Sequence, residues 1–407
     1  MAKGNHKISK TGMTLSVKFE AVDDPEVIRF THLQHGSTWS GEYLSHEEYA
    51  DREHILGQSE LGQLHKSDDH IDRFEDNAKH LGIKYFVLKD LTLPETSKTS
   101  QIVASCETMN RVGWAVVPGS EEITPVLTAC VGGVFTLKHH RGRGYAKKMI
   151  DQLNHMYDSL SESSDDPFLK YMTIDLYSEV DEYYSRNGFV SYHVPVYEIH
   201  QLAALETRYC DALGEADKSS VRTLGYNDYE DLVELQRQQF RKQMVEYNDG
   251  SKFLFTVKPA LETYMWFEDR DIFVSKKFHE EKPTRFGAAL SDGSHIVWHH
   301  SWTSHSLYII KVYIATGETQ NADIALASLL KEAIKECHLT KLKYLEFWQD
   351  EIPPETFPVF YSTLRQVESG HNLSKVNHSL SAIRLSPSCQ KYKDECLWLN
   401  NTKYCWF

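Results

Sequence analysis

The sequence predicts an α+β protein: a mixed, mostly antiparallel sheet flanked by helices, followed by a second α/β domain. Three observations predict it. Residues 131–149 read VGGVFTLKHHRGRGYAKKM, an apolar run, a basic glycine-spaced turn and an amphipathic helix. Several β-rich runs precede that passage, and a strand–turn–helix–strand order recurs at 307–348. With 407 residues two domains are expected, 1–205 and 206–407, meeting in the polar stretch ETRYCDALGEADKSS.

Each element has a local reason. Residues 14–34 read as a strand and a short helix started by Asp23-Asp24-Pro25. Ser45 suits an N-cap, with Glu47 and Glu48 in the first turn and Tyr49, Arg52 and Leu56 at helical spacing. Residues 68–76 are charged and expected to be exposed. Strands are predicted at 83–93, 101–111, 112–117 and 126–137, an antiparallel run leading into the glycine turn. The helix after it places Ala146, Met149, Ile150, Leu153, Tyr157 and Leu160 on one face. An acidic loop at 161–166, a strand at 171–177, a short helix stopped by Gly188 and a strand from Phe189 follow.

The second half repeats part of this order. Residues 307–314 read as a strand, 315–321 as a turn, Ala322 to Leu339 as an amphipathic helix, and 341–348 as a strand. On that helix Ile324, Ala327, Leu330, Ile334 and Cys337 share a face. The turn has one glycine and no arginine, and Glu318 stands where a phosphate would come. Residues 379–384 and 396–407 read as closing strands, and the aromatic end Tyr404-Cys405-Trp406-Phe407 is expected to pack on the first domain.

A strand, a glycine turn and a helix N-terminus make an anion site. Free N–H groups of the first turn point at the ligand, and the helix dipole favours negative charge there. Gly142 and Gly144 let the backbone curl toward a phosphate. No G-x-x-x-x-G-K-[ST] string occurs, which excludes a P-loop, and Lys147 stands where a dinucleotide fingerprint needs its third glycine.

Bulk properties narrow the partners. Forty-four Lys and Arg face 58 Asp and Glu, a formal charge of −14, a field that repels nucleic acid. Seven cysteines at 106, 130, 210, 337, 389, 396 and 405, without a C-x-x-C pair, suit a reducing compartment. There is no apolar signal core at the N-terminus and no run approaching a membrane span, so a cytoplasmic protein is expected, with nuclear access left open. The 21 histidines include the adjacent pairs His139-His140 and His299-His300, whose rings point to opposite faces of a strand, so structural or solvated roles and no metal are expected.

The string Arg141-x-x-Gly144-x-Ala146 resembles the [Q/R]-x-x-G-x-[G/A] pyrophosphate signature of the GNAT acetyltransferases. A second motif, Tyr183-Tyr184-Ser185-Arg186-Asn187-Gly188-Phe189, resembles the family's helix of the form Y/F-Y-x-x-x-G-F. The resemblance covers about residues 14–200 and implies a GNAT fold there; the element order that recurs in the second half without the signature points to a degenerate GNAT-like domain that does not bind CoA, with an unrelated α/β domain as the alternative. It also implies acetyl-CoA as cosubstrate. The amides of Arg141, Gly142, Arg143, Gly144, Tyr145 and Ala146 would hold its pyrophosphate, and the backbone of Val134, Phe135 and Thr136 its acetyl carbonyl. Trp39-x-Gly41, Leu44-Ser45-x-Glu47-Glu48-Tyr49, Arg52-Glu53 and Ala104-Ser105-Cys106-Glu107-Thr108 together are similar to the fungal lysine N6-acetyltransferases, which acetylate free L-lysine in the first step of its breakdown. Two departures leave room for a shifted acceptor: Lys138-His139-His140 where the family usually carries proline, and Gly188-Phe189 where Gly-Trp is common.

Direct transfer to an amine needs a base for the amine proton, a donor to the carbonyl oxygen and an acid for the leaving thiolate. By the resemblance Tyr184 is the acid. Glu107 and Asp175 are both candidate bases, acting through water. Cys106 is a weaker candidate as nucleophile, and Arg111 a candidate to hold the carboxylate of a free lysine. Three readings stay open: an acetyltransferase of a small-molecule amine, one acting on protein amines, and a non-catalytic acetyl-CoA-binding protein.

Overall fold

The structure, a computed structural model, describes residues 16–214, 221–279, 281–315, 319–368 and 373–406, with 319–321 as backbone only. The first half contributes β1 (Val17–Val22), β2 (Gly82–Asp90), β3 (Ile102–Val116), β4 (Thr124–Thr136), β5 (Thr173–Ser178), β6 (Val190–Tyr192) and β7 (Val196–Ile199). The second contributes β8 (Arg222–Leu224), β9 (Phe253–Val257), β10 (Gly287–Ala289), β11 (His295–Ser301), β12 (Ser306–Tyr313), β13 (Tyr344–Trp348), β14 (Ser374–Lys375), β15 (Leu380–Leu385) and β16 (Cys396–Trp398).

These strands form two mixed sheets. The first runs β1-β2-β3-β4-β5-β15-β6, with β9 also paired to β3 and β16 to β9; the second runs β14-β7-β13-β12-β11-β10-β8. Each sheet holds a parallel pair bridged by a long helix, and β9 and β16 form a further parallel pair in the first sheet. In the first, β4 and β5 are bridged by Tyr145–Glu162, and in the second, β12 and β13 by Thr319–Thr340. The halves exchange strands: β7 leaves the first half to pair with β13, and β15 returns from the second to pair with β5. The α+β reading and the recurring strand–helix–strand unit are therefore both present.

Local signals explain the helices near the site. Asp24 caps Pro25–Trp39, accepting from the Glu26 N–H at 2.9 Å, with Pro25 in the first turn where no N–H is needed. Ser45 and Glu48 form a reciprocal capping box that starts His46–Gly57. Tyr49, Arg52 and Leu56 are buried on one face of that helix. The charged segment at 68–76 begins a helix, Asp68–Phe74.

Two local expectations change. The strands predicted at 101–111 and 112–117 are one continuous strand, β3. Its second half pairs on one edge with β4 and on the other with β9, so no break is needed. On Tyr145–Glu162 the buried face begins at Tyr145 rather than Ala146, because the Tyr145 hydroxyl reaches the Asp90 carboxylate while Ala146 turns toward the cleft described below.

One apolar core runs through both halves of the first sheet, including Val131, Leu153 and Leu176 with Phe255, Ile383 and Trp398. A second packs the Thr319–Thr340 helix on β11–β13. No helix among the described residues is long and apolar enough to cross a membrane.

Candidate active site

The glycine turn stands at the mouth of the site. Gly144, at φ 82°, is the N-cap of the helix Tyr145–Glu162, and no side chain hydrogen-bonds that helix start. Gly142 is also left-handed at φ 76°, and a Cβ on either glycine would meet nothing within 4 Å. The cradle is thus open toward solvent, with its first-turn amides free for an anion. Arg141 anchors its near end, donating from Nε to the Thr136 carbonyl at 3.1 Å and lying over the Phe135 ring at 5.2 Å. This donor set fits a pyrophosphate.

Beyond the turn β4 and β5 part. Their parallel pairing runs from Thr128–Thr173 to Val131–Leu176 and stops there. A cleft of about 420 Å³ opens at the gap, lined by Gly132, Gly133 and Val134 of β4 and by Leu176 and Tyr177 of β5. Ala146, Tyr183 and Tyr184 line it on one side, and Trp39, Tyr49, Arg52, Glu53 and Glu107 on another. Unpaired β4 backbone therefore faces the gap. Gly133 is required there, since it sits at φ 57° and a Cβ would come within 2.8 Å of Glu107 Oε1. The β3–β4 register shift between Ser105 and Glu107 lies opposite it.

Glu107 is buried, and its Oε2 lies 3.4 Å from His32 Nε2. Burial by itself would lower the His32 pKa, but the Glu107 and Glu53 carboxylates outweigh it and raise that pKa. His35, buried one turn on and bonded to Ser105 Oγ at 2.9 Å, is pushed down to about 3 by burial and by His32. It is uncharged at neutral pH. Glu53 is held ionised: burial opposes this, but Arg52, Arg270 and His32 lower its pKa further than burial raises it. Trp39 Nε1 donates to Glu179 Oε2 at 3.0 Å. Tyr184 packs edge-on to Tyr183 and Phe189, and burial raises its phenol above the ordinary value.

The residues singled out from sequence divide. Tyr184, Glu107, Val134 and Ala146 share the cleft. Phe135 and Thr136 lie just beyond its lining, Phe135 turned toward His35 and Trp39. Asp175 is not in the cleft. It is fully buried in β5, accepting from Thr128 Oγ1 at 2.7 Å, with Arg111 Nη2 at 3.9 Å and its pKa raised by burial. Arg111 is likewise buried, donating to the Cys405 carbonyl at 2.8 Å, so it is not placed to meet a substrate carboxylate. Burial raises the Cys106 thiol well above its ordinary value, and Cys106 does not line the cleft. Glu318 lies outside the described residues, as does Phe407.

The second half supplies the far end of the cleft, through Trp266, Arg270 and Trp406. Trp406 belongs to the aromatic end expected to pack on the first domain. Neither Trp266 nor Arg270 carries a motif; they sit on the helix Leu261–Ser275, one turn apart. A smaller cavity of about 120 Å³ shares Arg52, Arg270 and Trp406 with the cleft and adds His299, His300, Trp302 and Lys403. His299 and His300 do not act on opposite faces. The Asp271 carboxylate spans the strand, taking His299 Nδ1 on one oxygen and the His300 N–H (2.6 Å) and Nδ1 (3.1 Å) on the other.

Known proteins are similar to this chain in sequence or in fold. The profile of the LYC1 GNAT-like C-terminal domain matches residues 211–407. The chain is 43% identical over 395 residues to a Saccharomyces cerevisiae protein named "Uncharacterized protein YGR111W", covering 96% of this chain and 97% of that one. It is 24% identical over 361 residues to a Yarrowia lipolytica "Lysine acetyltransferase", covering 81% and 84%. Among solved structures, a GCN5-related N-acetyltransferase from Kribbella flavida aligns with a TM-score of 0.50 at 11% identity, over 91% of this chain and 71% of that one. That last likeness is one of fold.

Proposed function

The chain belongs to the GNAT superfamily of N-acetyltransferases, and on that premise we propose that it transfers the acetyl group of acetyl-CoA to the amine of a small molecule, N6 of free L-lysine first among acceptors. One observation carries the reading: the parted β4–β5 pair leads from the glycine cradle into a cleft that holds both Glu107 and Tyr184. The name of the Yarrowia relative favours lysine. The cleft's size suits a single small acceptor beside a thioester arm.

In this reading the amides of 141–146 bind the pyrophosphate, and the exposed β4 backbone at Gly132–Val134 donates to the acetyl oxygen, where charge develops in the transition state. Glu107, steadied by His32, takes the proton the amine must lose before it attacks. Tyr184, kept protonated by burial, returns a proton to the departing thiolate. Asp175 and Arg111 serve the buried sheet instead.

The test is incubation with acetyl-CoA and a panel of free amino acids, polyamines and lysine-containing peptides, with products identified by mass. N6-acetyl-lysine is the expected product. CoA release with peptides alone would replace this reading with a protein acetyltransferase.

A further inference from the structure

Three cationic side chains meet where the small cavity joins the cleft, and only one is paired. Arg52 donates from Nε to Glu53 Oε1 at 2.8 Å. Arg270 and Lys403 have no carboxylate within 4 Å among the described residues, although Lys403 is only 9% exposed. Their contacts are aromatic: Arg270 lies 5.0 Å and Lys403 Nζ 3.5 Å from the Trp406 ring centre. Asp271 lines the same small cavity, but both of its carboxylate oxygens are taken by His299 and His300; Glu53, already held by Arg52, attracts Arg270 only at longer range. Glu346 and Glu179 act on Lys403 only at longer range, and that attraction does not offset burial and Arg270, which lower its pKa to about 7. A buried and a half-buried cation that repel each other and share a cavity are costly unless an anion joins them.

We propose that this cavity is a carboxylate subsite in which Arg270 and Lys403 hold the carboxylate of the acceptor while its amine extends into the cleft toward Glu107. The proposal rests on the amine-acetylating reading above. It adds the residues that recognise the far end of such an acceptor, a molecule bearing a carboxylate and an amine separated by an alkyl spacer. Two cations outcompete one for a carboxylate, and the guanidinium can meet both oxygens. Trp406 lines both the subsite and the cleft, and Trp266 lines the cleft, giving the apolar surface an alkyl spacer requires. The second half thus selects the acceptor.

The experiment compares lysine, 6-aminohexanoate and cadaverine as acceptors for the full chain, its Arg270→Met variant and its Lys403→Met variant. The first two compounds carry the carboxylate; cadaverine keeps the amine and spacer without it. With the unchanged chain, kcat/KM for lysine and 6-aminohexanoate should exceed that for cadaverine by about 10- to 100-fold, as expected for charge-assisted hydrogen bonds. Each variant should shrink that ratio, chiefly through KM. Equal use of cadaverine, or a ratio unmoved in both variants, overturns the subsite while leaving the amine reading in place. If peptides alone are acetylated, the amine reading falls, and calorimetry with 6-aminohexanoate decides the subsite separately. Binding that is lost in Lys403→Met supports it, and no binding overturns it. Thermal melts and Arg270→Lys, which restores a cation, guard against a misfolded variant.

Discussion

Lys403→Met should make the ligand-free protein more stable at low pH, and the gain should fade as pH rises. Lys403 is 9% exposed, and burial together with Arg270 lowers its pKa from 10.5 to about 7. Below pH 7 both the folded and unfolded chains hold the proton, so the cost of burying the charge is fully present. Between about 7 and 10.5 the unfolded chain binds a proton the folded chain has released, and stability rises with pH. The gap from 10.5 to about 7, at ~1.4 kcal/mol per pH unit, sets a ceiling on the order of 4–5 kcal/mol. The contact of Nζ with the Trp406 ring, which methionine loses as a cation–π pair, offsets roughly 1–2 kcal/mol of that. The net gain at pH 6 is then about 2–4 kcal/mol, shrinking through the alkaline range. Urea unfolding of both proteins, at several pH values between 6 and 10 and without ligand, reads this directly. A variant less stable than the parent at pH 6, or a difference that does not change with pH, refutes a buried, unpaired and destabilised ammonium.

Other perturbations test the acetyl-transfer machinery. Gly144→Asp should weaken acetyl-CoA binding by about 30-fold or more in calorimetry, since it sets a carboxylate at a helix N-terminus meant for pyrophosphate and forces a non-glycine residue to φ 82°. Tyr184→Phe should lower kcat by about 10- to 100-fold while acetyl-CoA affinity changes little. Because burial raises the Tyr184 phenol, its loss of a proton should not limit kcat anywhere in the neutral range of a pH profile. Glu107→Gln should lower kcat/KM for the amine by about 10²- to 10⁴-fold, with partial recovery at high pH as the acceptor loses its own proton near ~10.4. A flat response to either substitution in stopped-assay rates removes that residue from the mechanism.

The geometry of the glycine turn was legible because it is local: two glycines, a helix start and a strand lie within a dozen residues. The near wall was partly legible for a different reason. Trp39, Tyr49, Arg52, Glu53 and Glu107 all fall in the short segments that carry the family resemblance, and all line the cleft. Asp175 and Arg111 misled because strand position alone does not say what covers each face. Cys405, at the far end of the chain, covers theirs. Arg270 and Lys403 had no local signal. Their proposed role comes from what they lack among the described residues, a carboxylate within 4 Å, and pairing is a property of the folded chain. The strand exchange was hidden for the same reason, since β7 and β15 are short β-rich runs whose partners lie more than 140 residues away in sequence.

The sheet also fixes how far the cationic pair stands from the base. Glu107 is on β3; β3 pairs with β9, and β9 with β16. Arg270 lies on the helix that follows β9, and Lys403 in the turn that follows β16. Both cations therefore sit on elements that directly follow strands paired, directly or through β9, with the strand that carries Glu107. A distance set by a sheet does not adjust to a shorter acceptor as a loop would. Ornithine, one methylene shorter than lysine, then has either its carboxylate or its amine out of place. Losing one charged contact or the reacting alignment costs about 10-fold or more in kcat/KM, beyond the ~0.8 kcal/mol of the missing methylene itself. Competing lysine and ornithine in one reaction and weighing the two acetylated products by mass measures the ratio free of enzyme concentration. Equal yields would mean that the acceptor end is compliant, and that the sheet does not set the spacing.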